Sequence, residues 1–271
     1  MYVNDFEFDG KLLSSFGFSC MTWNGDPNAS SNVSNIEFTT ARPINRSKWV
    51  HYSSQFSEPL STTIEIGKYN CSTGTFDELA PEQQSPVMRW LNRRDGYKAF
   101  RLPDQTGYSN LYFYVQINVT PLMFGGRVYG FELTVTADRP FTVKKCTDSF
   151  TISEANGQHT INDVSDDIGN TPITMTVTTT GSGTLTIKNS RLDDSEAIVI
   201  EDVVADEKFI LDGVNLIATD VADRSDITMA DRFNFKFPTL VNTYADTANV
   251  FTFSVPCTVE VTWDSPVKVG F

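Results

Sequence analysis

Period-two alternation constrains this chain more than any other feature. In LYFYVQINV, Leu111, Phe113, Val115, Ile117 and Val119 fall on one face of an extended strand, and Tyr112, Tyr114, Gln116 and Asn118 fall on the other. VYGFELTVT repeats the pattern with Tyr129, Phe131, Leu133 and Val135 turned inward. The intervening TPLMFGGRV holds Gly125-Gly126, so residues 111–136 predict a long antiparallel hairpin. TPITMTVTTTGSGTLTIKNS predicts a second one, with Ile173, Met175 and Val177 leading through Gly181-Ser182-Gly183 to Leu185 and Ile187. FTFSVPCTVEVTW keeps Phe251, Phe253, Val255, Cys257, Val259, Val261 and Trp263 on one parity, with Pro256 pointing away at a bend or sheet edge. RFNFKF adds Phe233, Phe235 and Phe237 on one side. The expected fold class is all-β with one short helix. Short strands and frequent turns make the second half a β-sandwich.

The helix is expected in PVMRWLNRR. Ser85 stands as N-cap with Pro86 at the first helical position, Val87, Met88, Trp90 and Leu91 are available to pack, and Gly96 ends the element. This places the stretch RWLNRRDGYKAFRLPD, residues 89–104, across a helix end, a turn and the strand YKAFRL. Trp90 is expected in the core. Arg89, Arg93 and Arg94 are expected toward solvent or a partner, as assembly-interface charges.

Charge divides the chain. Residues 1–145 hold 14 Lys and Arg against 14 Asp and Glu, whereas residues 146–271 hold 7 against 20, which accounts for the whole net charge of −13. So sharp a step predicts two bodies, 1–145 and 146–271, joined near TADRPFTVKKCTDS, residues 136–149. The tail SPVKVGF, residues 265–271, can leave the second body and return toward the first, because its apolar residues need a surface to cover. Direct sequence-specific nucleic-acid binding is not expected, since phosphate binding needs a basic stripe and the acidic half would be repelled. No apolar run approaches the length that crosses a bilayer, so no membrane is expected. The opening MYVNDFEFDGKLLSS lacks the apolar core of a signal peptide. Cys20, Cys71, Cys146 and Cys257, with no CxxC pair, are therefore expected as free thiols in a reducing cytoplasm.

Catalytic signals are absent. The two histidines, His51 and His159, lie in no HxH or HExxH pattern, and SEANGQHT places His159 in a polar surface turn. No GxSxG elbow, P-loop or GxGxxG follows a strand. The acidic clusters NDVSDD, LDDSE and EDVVADE read as solvated loops rather than paired glycosidase carboxylates, and DVSDDIGN lacks calcium-loop spacing. No catalytic residue, metal or cofactor is expected. Trp23, Trp49, Tyr52, Trp90 and Trp263 could each stack a sugar ring, so a carbohydrate-binding accessory module is the alternative reading; Trp49, in RSKWVHY, is the least constrained.

FEFDGKLLSSFGF (6–18), RWLNRRDGYKAFRL, YFYVQINV, GRVYGFELTVTADRPF and PITMTV…GTLTIKN follow in one order. Together they resemble the distal tail proteins of long-tailed bacteriophages and related tail-like particles, over nearly the whole chain. The resemblance implies a β-rich N-terminal belt domain whose six copies close into a ring at the end of the tail tube. It implies a C-terminal galectin-like β-sandwich where receptor-binding or other baseplate proteins attach. It further implies a structural, non-enzymatic virion protein at the tail tip, assembled in the bacterial host cytoplasm. The implied partners are further copies of itself, the tail tube protein, a tail-associated hub protein and receptor binders. A galactose site does not carry over, because His159 is followed by Thr160 and Trp263 by Asp264-Ser265, outside both galectin sugar motifs.

Overall fold

A computed structural model of the chain describes residues 4–23, 36–44, 47–221 and 228–269. The backbone separates into two units, Met1–Val143 with Lys268–Phe271, and Lys144–Val267.

The first unit is organised by the hairpin Leu111–Phe124 and Arg127–Ala137. Gly125 and Gly126 connect the strands with φ of +57° and +80°, the left-handed pair that a tight two-residue hairpin turn demands. Ser61–Gly67 pairs along Arg127–Ala137, and Ser19–Trp23 pairs outside it, all antiparallel. Gly130 sits opposite Gly67, where a side chain could not fit: a Cβ on Gly130 would lie 2.3 Å from the Ile66 carbonyl oxygen. On the other side of the hairpin, Lys98–Arg101 pairs with Phe113, Tyr114 and Val115 and carries Glu7–Phe8 beyond it. The alternation delivers Phe113, Val115, Ile117, Phe131, Leu133 and Val135 to one apolar core, which Phe6, Phe8, Phe100 and the helix complete.

The helix spans Pro81–Leu91, starting five residues earlier than the Ser85-Pro86 pair predicts. A second proline explains the difference. Pro81 occupies the first turn, where a missing N–H costs nothing, and the Gln83 side-chain oxygen accepts the Ala80 N–H at 3.1 Å. Pro86 lies inside the helix, with its ring on the exposed side. Val87, Trp90 and Leu91 form the buried face.

The second unit packs two sheets around one core. One contains Ile217–Asp220, Lys208–Asp212, Thr174–Thr179, Cys257–Val267 and Thr142–Ile152 in that order, and the other Gly157–Asn162, Ala248–Phe253, Gly183–Asn189 and Ile198–Val203. Met175, Val177, Phe209, Leu211, Val259 and Val261 from the first face Leu185, Ile187, Ile200, Phe251 and Phe253 from the second.

Two expectations need correction here. Residues 173–187 are not a hairpin: Thr174–Thr179 and Gly183–Asn189 pair with different neighbours in different sheets. The connection between them is bonded to other elements, with Thr179 N–H donating to the Glu207 carbonyl and Thr180 N–H to the Pro256 carbonyl, both at 2.9 Å. The chain crosses between sheets again at Ser254–Pro256, where the bend falls beside Pro256. RFNFKF does not present three phenylalanines on one side. Phe233 is buried, while Phe235 adopts φ +56° and is exposed, because the short helix Met229–Arg232 and a single bridge to Ile200 replace a regular strand.

Candidate assembly surfaces

Trp90 settles the role of the stretch 89–104. Its ring is 6% exposed, stacks on Phe16 at 4.6 Å and Phe6 at 5.9 Å, and meets Phe8 edge-on. Its indole N–H donates to the Phe8 carbonyl at 3.0 Å. A side chain buried this way holds scaffold together and has no face left for a sugar. The three arginines behave differently. Arg93 turns back onto its own unit, paired with Asp95 and, at 3.3 Å, with Asp9. That hydrogen-bonded pairing raises the Arg93 pKa above its ordinary value and holds the Asp95 carboxyl well below the usual range. Arg89 and Arg94 are exposed, and no ion pair engages either among the described residues.

One exposed apolar surface is a ribbon. Ile36–Ala41 and Val50–Phe56 form a two-stranded sheet with no third strand among the described residues. Phe38 is 65% exposed, Trp49 60% and Tyr52 64%, with Ile36 and Val50 also open to solvent. His51 meets Phe38 edge-on at 5.9 Å. The root is held by Phe56, which packs edge-on against Phe141 with the Lys268 ammonium over its ring. The sequence marks Trp49 as the least constrained aromatic and Tyr52 as one that could stack a ring. It does not mark the strand around them, whose threonines and serines blur the apolar alternation. The Trp23 side chain lies outside the described residues, and Trp263 is buried in the second core.

His159 lies on the strand Gly157–Asn162 rather than in a turn. Its ring stacks on Phe150 at 3.7 Å, and its Nε2 lies 2.9 Å from an Asp148 oxygen. The acidic clusters are not uniformly solvated. Glu207 and Arg232 are both buried, with side chains 1% exposed. Their guanidinium–carboxylate bonds measure 2.6 and 2.9 Å, and Arg232 also donates to the Glu201 and Asp202 carbonyls while lying over Phe209. Burial alone would push the Glu207 carboxyl up, but bonds from Arg232 and the Val204 N–H outweigh it and hold it below its usual value. Asp163 is also buried. One of its oxygens accepts the Ser165 N–H, the other has no hydrogen-bond partner, and burial pushes its pKa up.

Among the described residues no group of His, Cys, Asp or Glu is placed to hold a metal ion, and no helix is long and apolar enough to cross a membrane. The four cysteines are unpaired. Burial pushes the Cys20 thiol up to about 12, with Asp5 adding to it, and Cys257 to about 11, so neither forms a thiolate near neutrality.

Residues 1–139 match the family model of a phage tail protein N-terminal domain, and residues 142–263 match that of a phage tail C-terminal domain. The chain belongs to the phage tail proteins. This tail protein is similar in fold to Dit of phage SPP1, described as a paradigm of the hub adsorption apparatus in phages infecting Gram-positive bacteria. That likeness covers 97% of this chain and 99% of the other, with a TM-score of 0.62 and 12% identity. A chain of the phage P2 baseplate, in its activated conformation with calcium, is similar over 98% of the tail protein and 99% of its own length. There the TM-score is 0.55 and the identity 9%. No curated protein sequence matches the tail protein.

Proposed function

We propose that the tail protein is a structural ring subunit at the distal end of a phage tail. Six copies close on one another through residues 1–145, and the ring joins the tail tube to the tail-associated hub. Residues 146–271 serve as a platform for receptor-binding or other baseplate proteins. The subunit is assembled in the bacterial host cytoplasm, performs no catalysis and needs no cofactor.

The ribbon Ile36–Ala41 with Val50–Phe56 carries this reading. A two-stranded sheet is marginal in water by itself, and this one exposes Phe38, Trp49 and Tyr52 together. A neighbouring copy of the chain supplies the missing cover. Arg89 and Arg94 add exposed positive charge for the same contacts. The balanced charge of residues 1–145 suits close packing, and the description of the SPP1 protein as part of an adsorption hub supports the location.

Native mass spectrometry of the purified chain, with negative-stain images of intact tails, tests the proposal. A ring-sized species in either supports it; a 30.3 kDa monomer at high concentration together with tails lacking a ring overturns it. Replacing Phe38 and Trp49 together by Ser is expected to shift the chain to monomer without unfolding it. The exposure of Trp49 beside Tyr52 also favours a second reading, glycan stacking by a carbohydrate-binding module. That reading requires a monomer whose glycan binding is lost in Trp49→Ala.

A further inference from the structure

The four-stranded sheet of the second unit ends differently on its two sides. On one side, the edge strand Ile198–Val203 is closed by a bridge from Ile200 to Phe233 and by the Asn234 N–H donating to the Val199 carbonyl. On the other side lies Gly157–Asn162, which pairs with Ala248–Phe253 in an unbroken register from Gly157↔Phe253 to Asn162↔Ala248. The Asp163 N–H donates to the Thr247 carbonyl at 3.0 Å, which sets the phase of that ladder. Ser190 donating to the Val250 carbonyl, and Ser254 to the Thr186 carbonyl, give the same phase from the opposite side of Ala248–Phe253. Gly157, His159 and Ile161 therefore turn their backbone groups toward Ala248–Phe253, while Gln158, Thr160 and Asn162 turn theirs outward. These three residues are exposed, and no backbone partner meets them among the described residues.

Proteins usually blunt such an edge with proline, lysine, a bulge or a covering loop. GQHTIN has no proline and no lysine or arginine, and its register has no bulge. We propose that this edge is a docking site where an extended, basic segment of another tail protein adds as a fifth strand. The proposal deepens the platform reading above and rests on it.

The occupant follows from charge and symmetry. Asp148 lies against His159 at this edge, Glu154 is exposed in the turn before the strand, and residues 146–271 carry a net charge of −13. A second copy pairing edge to edge would bring two such halves together. It would also need a two-fold axis, which a closed ring of one kind of subunit does not supply. A basic strand from a different protein meets neither obstacle. Its backbone supplies the hydrogen bonds, and its lysines or arginines supply the charge.

The test uses the full chain and an end-blocked eight-residue peptide alternating Lys and Val, followed by hydrogen–deuterium exchange of the fragment containing residues 157–162. The peptide is expected to slow exchange at Gln158, Thr160 and Asn162 at least tenfold, and a Glu-Val peptide of equal length to have no effect. Thr160→Pro removes the central outward N–H and should abolish the protection; Thr160→Val keeps the N–H and should preserve it. Unchanged exchange with the Lys-Val peptide, protection confined to other segments, or equal protection by the Glu-Val peptide would overturn the proposal. The same fragment read in intact tails separates it from the reading beneath it. A partner attached to residues 146–271 while the amides of 158, 160 and 162 exchange freely sinks the docking edge alone. Tails with nothing attached to that half sink the platform itself.

Discussion

Arg232→Met is expected to destabilise the tail protein far more than a change of one surface charge. The substitution keeps an apolar stem over Phe209 but removes both guanidinium bonds to Glu207 and leaves the Glu201 and Asp202 carbonyls without their donor. Glu207, with its side chain 1% exposed, is then a buried carboxylate without its counter-ion. Breaking a buried pair from one side costs about 3–5 kcal/mol, a large share of the ~5–15 kcal/mol that holds a domain folded. Removing Glu207 as well, as Arg232→Met with Glu207→Leu, should recover part of the loss, because the Glu207 charge is gone while Asp220, 3.6 Å from the guanidinium and with a side chain 8% exposed, still loses that neighbour. Urea unfolding at neutral pH and matched protein concentration reads all three proteins, the matching being needed because association shifts apparent stability. The sign with pH is also fixed. The folded Glu207 pKa is depressed, so the pair's contribution is present above the unfolded value of about 4.3 and is lost as pH falls through the folded value. The stability difference between the wild type and Glu207→Gln should therefore shrink toward acid. A single variant within about 1 kcal/mol of the wild type, or a double variant no better than the single, would refute the reasoning.

Trp90→Ala should cost roughly 3–5 kcal/mol in the same unfolding assay, since it opens a cavity among Phe6, Phe8 and Phe16 and strips the Phe8 carbonyl of its donor. Unchanged melting and oligomer size would show that Trp90 is not structural. A thiol-reactive disulfide reagent at neutral pH should label exposed Cys71 first, half-buried Cys20 more slowly, and buried Cys257 only on unfolding, as mass spectrometry of the labelled peptides would report. Rapid labelling of Cys257 in the folded protein would contradict its burial.

What the sequence reveals depends on whether a signal is local. The hairpin around Gly125-Gly126 is legible because alternation, turn chemistry and pairing partner all lie within one stretch. The helix start is not, since APEQQSP offers two prolines with the same first-turn preference and the Gln83 bond to Ala80 decides between them. Alternation tells which side chains are inward but not which sheet a strand joins, so the strands on either side of Gly181 look like a hairpin and are not one. Arg93 looks as available as Arg89 and Arg94 until Asp9, far away in sequence, is brought beside it. Arg232 and Glu207 give no sign of burial, because each sits among other charged residues and the pair closes only through the fold.

The crossing between sheets at Thr179–Gly183 also bears on time. A hairpin can form within microseconds because its strands are neighbours in sequence, and Leu111–Ala137 gives the first unit such a seed. The second unit has few seeds of this kind. Met175 must find Val261, Gln158 must find Thr252, and Ile187 must find Phe253 before either sheet holds together. Pairings that distant are entropically expensive to close and slow to form. As the chain leaves the ribosome, the first half can begin to organise while residues 144–189 still wait for strands not yet made. During that interval the apolar faces of Thr174–Thr179 and Gly183–Asn189 stand uncovered. Residues 146–189 already carry 5 acidic side chains against 1 basic one, so such unfinished chains repel one another before the fold exists.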